Sequence, residues 1–396
     1  VSATARRTKP ATATRPSRLR HEVNWIVKAS KLCNLRCRYC YEWNDLDRAD
    51  RIQLPQWRQL LKAIRDYHLL LRETIDGERA VRSNIIWHGG EPLLLPATYF
   101  EQVFEAQREV LDPEGIDYCN VLQSNLYRVP DLTLQILERE HVQLGVSFDF
   151  APGVRLTING SETETVVANN IDRLRARGAR LGAVVVLAGH TSRRVRDIYD
   201  FYASRAMPVR FLPVFDAPLN TPDATFSLTA RTTVAALERL FDYWMGCRHR
   251  IAVWPLVDYL YTALLRRTGE SRQVYDRHAV GEWALLVDTD GTLYHRPDAY
   301  DSDLALGNVF QQRINDILTS KTYAASLSRD SKLVQRFCAG CEFLGACNAL
   351  PIFESPRKTI GGRRCGIAYP LYKYVERYLN EHSVTTAEIQ QILQEL

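Results

Sequence analysis

From Asn24 to about Phe215, short β-branched runs take turns with stretches in which apolar residues recur every three or four positions. That alternation predicts repeated strand–helix units around a parallel sheet. Six strands are expected, at 24–28, 84–88, 118–123, 143–148, 181–187 and 209–212. Behind Pro55, which suits a first helical turn, Trp57, Leu60, Leu61 and Ile64 mark one face of a helix. Val167, Ile171 and Leu174 mark another, opened by Ser161 or Thr163 and closed by Gly178.

After Asp216 the alternation stops. Helical patterns at 233–245 and 255–267 lead to two short strands, 283–287 and 292–295, joined through Asp288-Thr289-Asp290-Gly291. Asp-Gly supplies the positive φ values that a tight hairpin turn requires. The last third carries clustered cysteines, followed by helices from about Tyr369. The expected segments are a disordered basic tail (1–21), a strand–helix barrel (22–216), a helical bridging region (217–275) and a cysteine-bearing domain with C-terminal helices (276–396).

Composition narrows the class. Of 396 residues, 46% are hydrophobic and 24% charged, as in a folded globular protein. No apolar run is long enough to span a bilayer, so no membrane partner is expected. The net charge of +5 is accounted for by Arg6, Arg7, Lys9, Arg15, Arg18 and Arg20 in the tail, which contains no acid. The remaining body lacks the basic excess that nucleic-acid binding demands. Nine cysteines without a secretion signal point to a reducing, cytoplasmic compartment, where clustered thiols bind metal more often than they pair.

Cys33, Cys37 and Cys40 follow the first strand directly. Three thiolates on one short loop suit an iron–sulfur cluster and leave one iron of a four-iron cube open to a ligand. A zinc site lacking its fourth ligand is the alternative. At the ends of the next three expected strands stand His88-Gly89-Gly90-Glu91-Pro92, Gln123-Ser124-Asn125 and Gly145-Val146-Ser147-Phe148-Asp149.

Together with the cysteine loop, these segments resemble the motifs of radical S-adenosylmethionine (SAM) enzymes. The resemblance implies an α/β fold, a partial (β/α)6 TIM-like barrel, whose strand ends all open on one face. It further implies that Cys33, Cys37 and Cys40 hold a 4Fe-4S cluster and that the open iron chelates SAM. Reductive cleavage of SAM would then give a 5'-deoxyadenosyl radical able to take hydrogen from an unactivated carbon. By position, Gly89 and Gly90 would let backbone approach the ligand, and Glu91 would receive its amino group. Tyr39 would lie beside the adenine. Ser124, Asn125, Ser147 and Asp149 would line the ribose or methionine side, with Arg155 near the carboxylate.

Cys338, Cys341, Cys347 and Cys365 form a second, four-thiolate set, suited to 4Fe-4S or zinc. This part resembles the SPASM extension of peptide-modifying relatives, reduced to one auxiliary cluster. The extension's other cysteines are missing around Ala279 to Trp283 and around Tyr294 to Pro297. Asp298, beside that second gap, is the candidate base. Cys119 and Cys247 match no motif and are expected as small buried apolar residues.

Within the family, Val27-Lys28-Ala29-Ser30 and the cysteine-poor hairpin look most like maturases that join an aromatic ring carbon to a β-carbon, a cyclophane, in ribosomally made precursor peptides. Two 4Fe-4S clusters and SAM are the implied cofactors. The implied partners are a precursor peptide and an external electron donor such as flavodoxin or ferredoxin. Because 23 residues before the first strand are too few for the winged-helix recognition domain of many relatives, a leader peptide, if one is bound, is expected to be recognised by another surface or by a separate protein. The other readings are a peptide epimerase using Cys247, a sulfatase-maturase-like oxidase, a small-molecule or carbohydrate dehydrogenase, and a non-enzymatic iron–sulfur electron carrier or zinc module.

Overall fold

The computed structural model describes residues 20–75, 80–214, 225–295, 302–354 and 364–396. The first half runs β1 (Arg20–Ser30), β2 (Leu35–Cys37), α1 (Leu54–Thr74), β3 (Ala80–Gly89), α2 (Ala97–Leu111), β4 (Tyr118–Ser124), α3 (Asp131–Arg139), β5 (Gln143–Ser147), β6 (Arg155–Thr157), α4 (Glu164–Ala176), β7 (Leu181–Leu187), α5 (Val195–Ala203) and β8 (Val209–Pro213). The second half continues with α6 (Ala230–Gly246), β9 (Val253–Trp254), α7 (Leu256–Thr268), α8 (Arg277–Val280), β10 (Ala284–Val287), β11 (Thr292–Tyr294), β12 (Gly307–Asn308), α9 (Ile314–Leu318), α10 (Lys321–Phe337), α11 (Pro351–Glu354), α12 (Ala368–Glu381) and α13 (Thr386–Glu395).

All six expected strands form, as β1, β3, β4, β5, β7 and β8. They lie in one sheet of order β12-β11-β10-β1-β3-β4-β5-β7-β8-β9. Every pairing from β10 through β9 is parallel; β11 and β12 add antiparallel strands at one edge. The fold is therefore the partial α/β barrel that the motifs imply, with a mixed sheet.

Strand alternation sorts the barrel wall into two faces. On β7, Leu181, Ala183, Val185 and Leu187 are buried under helices, whereas Gly182, Val184 and Val186 face the lumen and stay partly accessible. Trp25 and Val27 on β1, and Ile85 and Trp87 on β3, repeat the pattern. A filled outer layer and an accessible lumen leave room for a ligand at the strand ends.

The expected boundaries shift. β1 starts at Arg20, inside the span assigned to the tail. The bridging region is no separate unit, because β9 pairs with β8 and extends the barrel sheet. The hairpin, β10 and β11, also joins that sheet, with Asn24 to Val27 in register with Ala284 to Val287. Backbone hydrogen-bonding groups left by an open barrel are satisfied in this way on both edges. α7 packs against α12 and α13, fixing the C-terminal helices to the bridging region. Among the described residues, no helix is long and apolar enough to cross a membrane.

Candidate active site

A cavity of about 190 Å³ lies at the C-terminal ends of the barrel strands. Cys33, Cys37 and Cys40 line it together with Tyr39, Gly89, Gly90, Ser124, Asn125, Ser147 and Arg155. Four separate strand–loop junctions thus meet at one hollow, as the parallel topology requires.

The cysteine loop is held from three sides. Cys33 N–H donates to Leu46 O at 3.0 Å, and Cys40 N–H donates to Cys37 O at 2.8 Å. β2 pairs antiparallel with β6, which sets Cys37 opposite Arg155 in register. From β4, Asn125 Nδ2 donates to Asn34 Oδ1 at 2.9 Å and lies 3.9 Å from Cys33 Sγ. Burial pushes the Cys33 thiol up to about 12 and raises Cys37 and Cys40 as well. Without a cation these thiols stay protonated; a bound metal cluster supplies the charge that holds them as thiolates. Three thiols line one hollow beside polar strand-end residues, a donor set of the kind that an iron–sulfur cluster with an open iron takes.

Gly89 and Gly90 line the cavity and also pack closely against the cysteine loop. Both make room for the cysteine loop. Gly90 N–H donates to Ser30 O and Glu91 N–H to Leu32 O, each at 2.8 Å. A Cβ on Gly90 would lie 2.3 Å from the backbone oxygens of Lys31 and Leu32, and one on Gly89 would lie 2.2 Å from Ser30 O. Gly89 also has φ +113°, which side chains rarely adopt.

Glu91 is 1% exposed and its side chain holds β4. Oε1 accepts from Ser124 Oγ at 2.8 Å and Leu93 N–H at 2.9 Å, and Oε2 accepts from Asn125 N–H at 2.8 Å. Burial raises its carboxyl to about 7 against these three donors. Glu91 therefore orients Ser124 and Asn125, which line the cavity, while its own side chain lies behind the lining.

Asp149 also sits behind the wall. Its carboxylate takes Arg155 Nε at 3.2 Å, Val186 N–H at 2.8 Å and the Tyr39 hydroxyl. Burial opposes ionisation, but Arg155, His190 and Tyr39 outweigh it and hold the carboxyl at about 2. Asp149 and Arg155 are 1% and 6% exposed, so this is a buried ion pair rather than an ordinary surface loop pair. Tyr39 stacks on His190 at 5.5 Å between ring centroids and presents its ring to the cavity.

Several lining residues were not singled out from sequence. Gln123 Nε2 donates to Ser147 Oγ at 2.7 Å, and its side chain occupies the space above Gly145. His88 lines the cavity, and burial together with Lys28 lowers its pKa to about 4, so the imidazole is neutral at physiological pH. Lys28, 1% exposed, is paired with Glu42, another lining residue. Strand-end position could have flagged Gln123 and His88; Glu42 carried no signal.

In the C-terminal part, Cys338, Cys341, Cys347 and Cys365 line one small void with Phe337, Phe343 and Tyr372. The Tyr372 hydroxyl donates to Cys347 Sγ at 3.4 Å, and Ala349 N–H points to the same sulfur at 3.4 Å. Four thiols around one apolar void fit a closed metal site.

The two gaps in the cysteine pattern meet in space. Arg277 Nε donates to Glu282 Oε1 at 2.6 Å, and its Nη1 donates to Asp330 Oδ2 at 2.9 Å and Ser326 Oγ at 2.8 Å. His295 lies 3.3 Å from Ser326 Oγ and 3.8 Å from Asp330. A buried ionic network joins α8, the hairpin and α10 in this region. Asp298 lies outside the described residues. Cys119 and Cys247 are only partly buried; Cys247 donates to Tyr243 O behind the barrel and does not line the cavity.

Comparison with known proteins agrees with this geometry. Residues 27–202 match the model of the Radical SAM superfamily. The chain is 22% identical over 346 residues to a serine-type anaerobic sulfatase-maturating enzyme of Bacteroides thetaiotaomicron, covering 82% of this chain and 80% of that protein. It is 22% identical over 341 residues to a cysteine-type enzyme of Clostridium novyi, covering 82% and 86%. Among solved structures, the maturase anSMEcpe with bound AdoMet and Cp18Cys peptide superposes with a TM-score of 0.71 at 18% identity, covering 94% of this chain and 99% of that one. Streptococcus suis SuiB bound to the precursor peptide SuiA gives a TM-score of 0.56 at 14% identity, covering 86% and 74%.

Proposed function

We propose that the chain is a radical S-adenosylmethionine enzyme that oxidises a side chain of a peptide substrate at the β-carbon, with net loss of two hydrogens. The observation that carries this reading is the convergence of Cys33, Cys37, Cys40, Ser124, Asn125 and Ser147 on one cavity, in a chain similar to peptide-modifying maturases over about four fifths of its length. When bound, the cluster and SAM supply a carbon-centred radical that removes a hydrogen atom.

The chain's own residues do the rest. Asn125 and Arg155 fix the sulfur ligands. Glu91 and Asp149 hold the binding residues in place from behind, and Ser124, Ser147 and Gln123 present hydrogen-bonding groups to SAM. Val184, Val186 and Leu212 give the cavity an apolar wall that limits water near a reactive carbon radical. Cys338, Cys341, Cys347 and Cys365 would hold an auxiliary 4Fe-4S cluster, which would supply an acceptor for the second electron of the oxidation, its proton passing to a base. One-electron reduction would come from a flavodoxin or ferredoxin. Asp298 stays the candidate base.

Two products share the loss of two hydrogens: an oxidised residue of the sulfatase-maturase kind, and an aromatic-ring-to-Cβ cross-link in a ribosomally made precursor. Similarity along the whole domain favours the first. The ionic network of Arg277, Glu282 and Asp330, which stands where the cysteines of a second auxiliary cluster are missing, favours the second. Anaerobically reconstituted protein with reductant and SAM should release 5'-deoxyadenosine. A peptide that loses about 2 Da and resists sequencing fragmentation across a ring indicates a cross-link, whereas a carbonyl-reactive product indicates oxidation. No 5'-deoxyadenosine from fully iron-loaded protein would refute the proposal.

A further inference from the structure

α12 opens just after Cys365 and carries Ala368, Leu371, Tyr372, Val375 and Leu379 on one buried face. That spacing is the apolar stripe of a helix, and the helix packs against α6 and α7. Tyr372 is the polar-tipped member of the stripe. Its ring is held between that of Phe343, 5.0 Å away between centroids, and that of Tyr259, 5.2 Å away and nearly perpendicular. The side chain forms a partition. It lines the void of the four thiols and also a cavity of about 220 Å³, which shares Leu212 and Pro213 with the cavity at the strand ends.

A phenol that is only 3% exposed needs a partner for its hydroxyl. The partner is Cys347 Sγ at 3.4 Å, which also faces Ala349 N–H. Among the described residues, Tyr372 is the one side chain that donates to a sulfur of this set. A neutral thiol is a weak acceptor, so the bond contributes little while the sulfur carries its proton. On a metal-bound thiolate the same bond becomes charge-assisted. One-electron reduction adds a negative charge to an iron–sulfur cluster and its ligand sulfurs. A donor at such a sulfur therefore stabilises the reduced state more than the oxidised one, and the reduction potential rises.

We propose that Tyr372 sets the reduction potential of the auxiliary cluster through its hydrogen bond to Cys347. It acts through the sulfur and is a positioning residue rather than a catalytic one. The inference rests on the reading of the four-cysteine site as 4Fe-4S. It also gives that site a reason to accept an electron: a raised potential favours transfer of one electron from the peptide radical, whose proton passes to a base.

The test is a redox titration of anaerobically reconstituted full-length protein, followed by EPR. A ligand on an open iron perturbs that cluster's signal, so the signal that added SAM leaves unchanged belongs to the four-cysteine site. Tyr372→Phe keeps the packed ring and removes the donor. At a fixed potential, its ratio of reduced to oxidised auxiliary cluster should fall about ten-fold, a shift of ~59 mV for one electron. One exchangeable-proton coupling in the ENDOR spectrum of that signal should vanish as well. Tyr369→Phe is the control: Tyr369 lines the same void, but its hydroxyl donates to Glu342 Oε1 at 3.0 Å, and the potential should stay as in the parent. An unchanged potential in Tyr372→Phe at about eight irons per chain overturns the proposal. Equal shifts in the two variants overturn it too, since general loosening of the void would then be the cause. About four irons and one zinc per chain overturn it together with the auxiliary-cluster reading. A shift confined to Tyr372→Phe, in protein that releases no 5'-deoxyadenosine, removes the maturase reading and leaves the role of Tyr372 standing.

Discussion

Arg155 Nη1 lies 3.7 Å from Cys37 Sγ while its Nε donates to Asp149 Oδ2 at 3.2 Å. One guanidinium thereby connects Cys37, a proposed cluster ligand, to the carboxylate that also anchors Tyr39. Removing Asp149's charge leaves Arg155 buried without its counter-ion, which costs about 3–5 kcal/mol when a buried pair is broken. Asp149→Asn should therefore lower the urea midpoint markedly. Because the Asp149 carboxyl is held at about 2, below its value of ~3.9 in an unfolded chain, the stability it contributes is present above pH ~4 and lost as pH falls toward 2. The variant should lack that segment of the acid-unfolding curve.

Glu91→Gln tests whether the carboxylate acts as an acceptor for β4. Three donors face it, and a carboxamide can meet at most two of them without setting its own N–H₂ against the Asn125 N–H or the Ser124 and Leu93 donors. One buried donor left unsatisfied costs about 1–3 kcal/mol. Weaker SAM binding by equilibrium dialysis, with iron content retained, is the expected result.

Gly90→Ala should prevent the cysteine loop from docking. The added methyl would contact two backbone oxygens at 2.3 Å, which cannot move aside as a flexible side chain could. Iron bound by the barrel after anaerobic reconstitution should fall sharply. Normal iron loading would show that the loop does not pack on β3 as described.

Replacing Cys338 and Cys341 by Ala should remove about four of about eight irons per chain if the void holds a four-iron cluster. Loss of one zinc and no iron would instead identify a closed structural zinc site. The EPR signal of the cluster proposed for Cys33, Cys37 and Cys40 should persist in either case.

His68 is 1% exposed, its Nδ1 is 3.0 Å from Ser83 Oγ, and burial, aided by Arg72, holds it at about 4. Its folded pKa is below the ~6.5 of an unfolded chain, so its contribution is full above pH 6.5 and declines as pH falls toward 4. In His68→Gln, thermal unfolding measured between pH 7 and 4 should lose that part of the slope.

Local patterns carried much of the architecture. Six strands and the helices headed by Pro55 and Thr163 were legible because one face of each is apolar at the right period. The pairing of β10 with β1 was not, since parallel neighbours some 260 residues apart leave no local mark. At the site, the three cysteines and the strand-end residues could be placed through their resemblance to known motifs. The roles of Gly90 and Glu91 could not, because each depends on which backbone segment lies against it. His88 and Gln123 stand in the strand-end motifs, but their place in the cavity wall shows only once the lumen face is known. The ionic network of Arg277, Glu282 and Asp330 joins residues from separate elements, so no local pattern in the sequence marks it.

The parallel join of β10 to β1 bears on how the molecule can be divided. A fragment ending near residue 216 would strip β1 of its neighbour and expose Trp25 and Val27 beside an unpaired strand edge, a template for self-association. Barrel and C-terminal module should consequently melt together, and expression of the first half alone should give inclusion bodies rather than a working core.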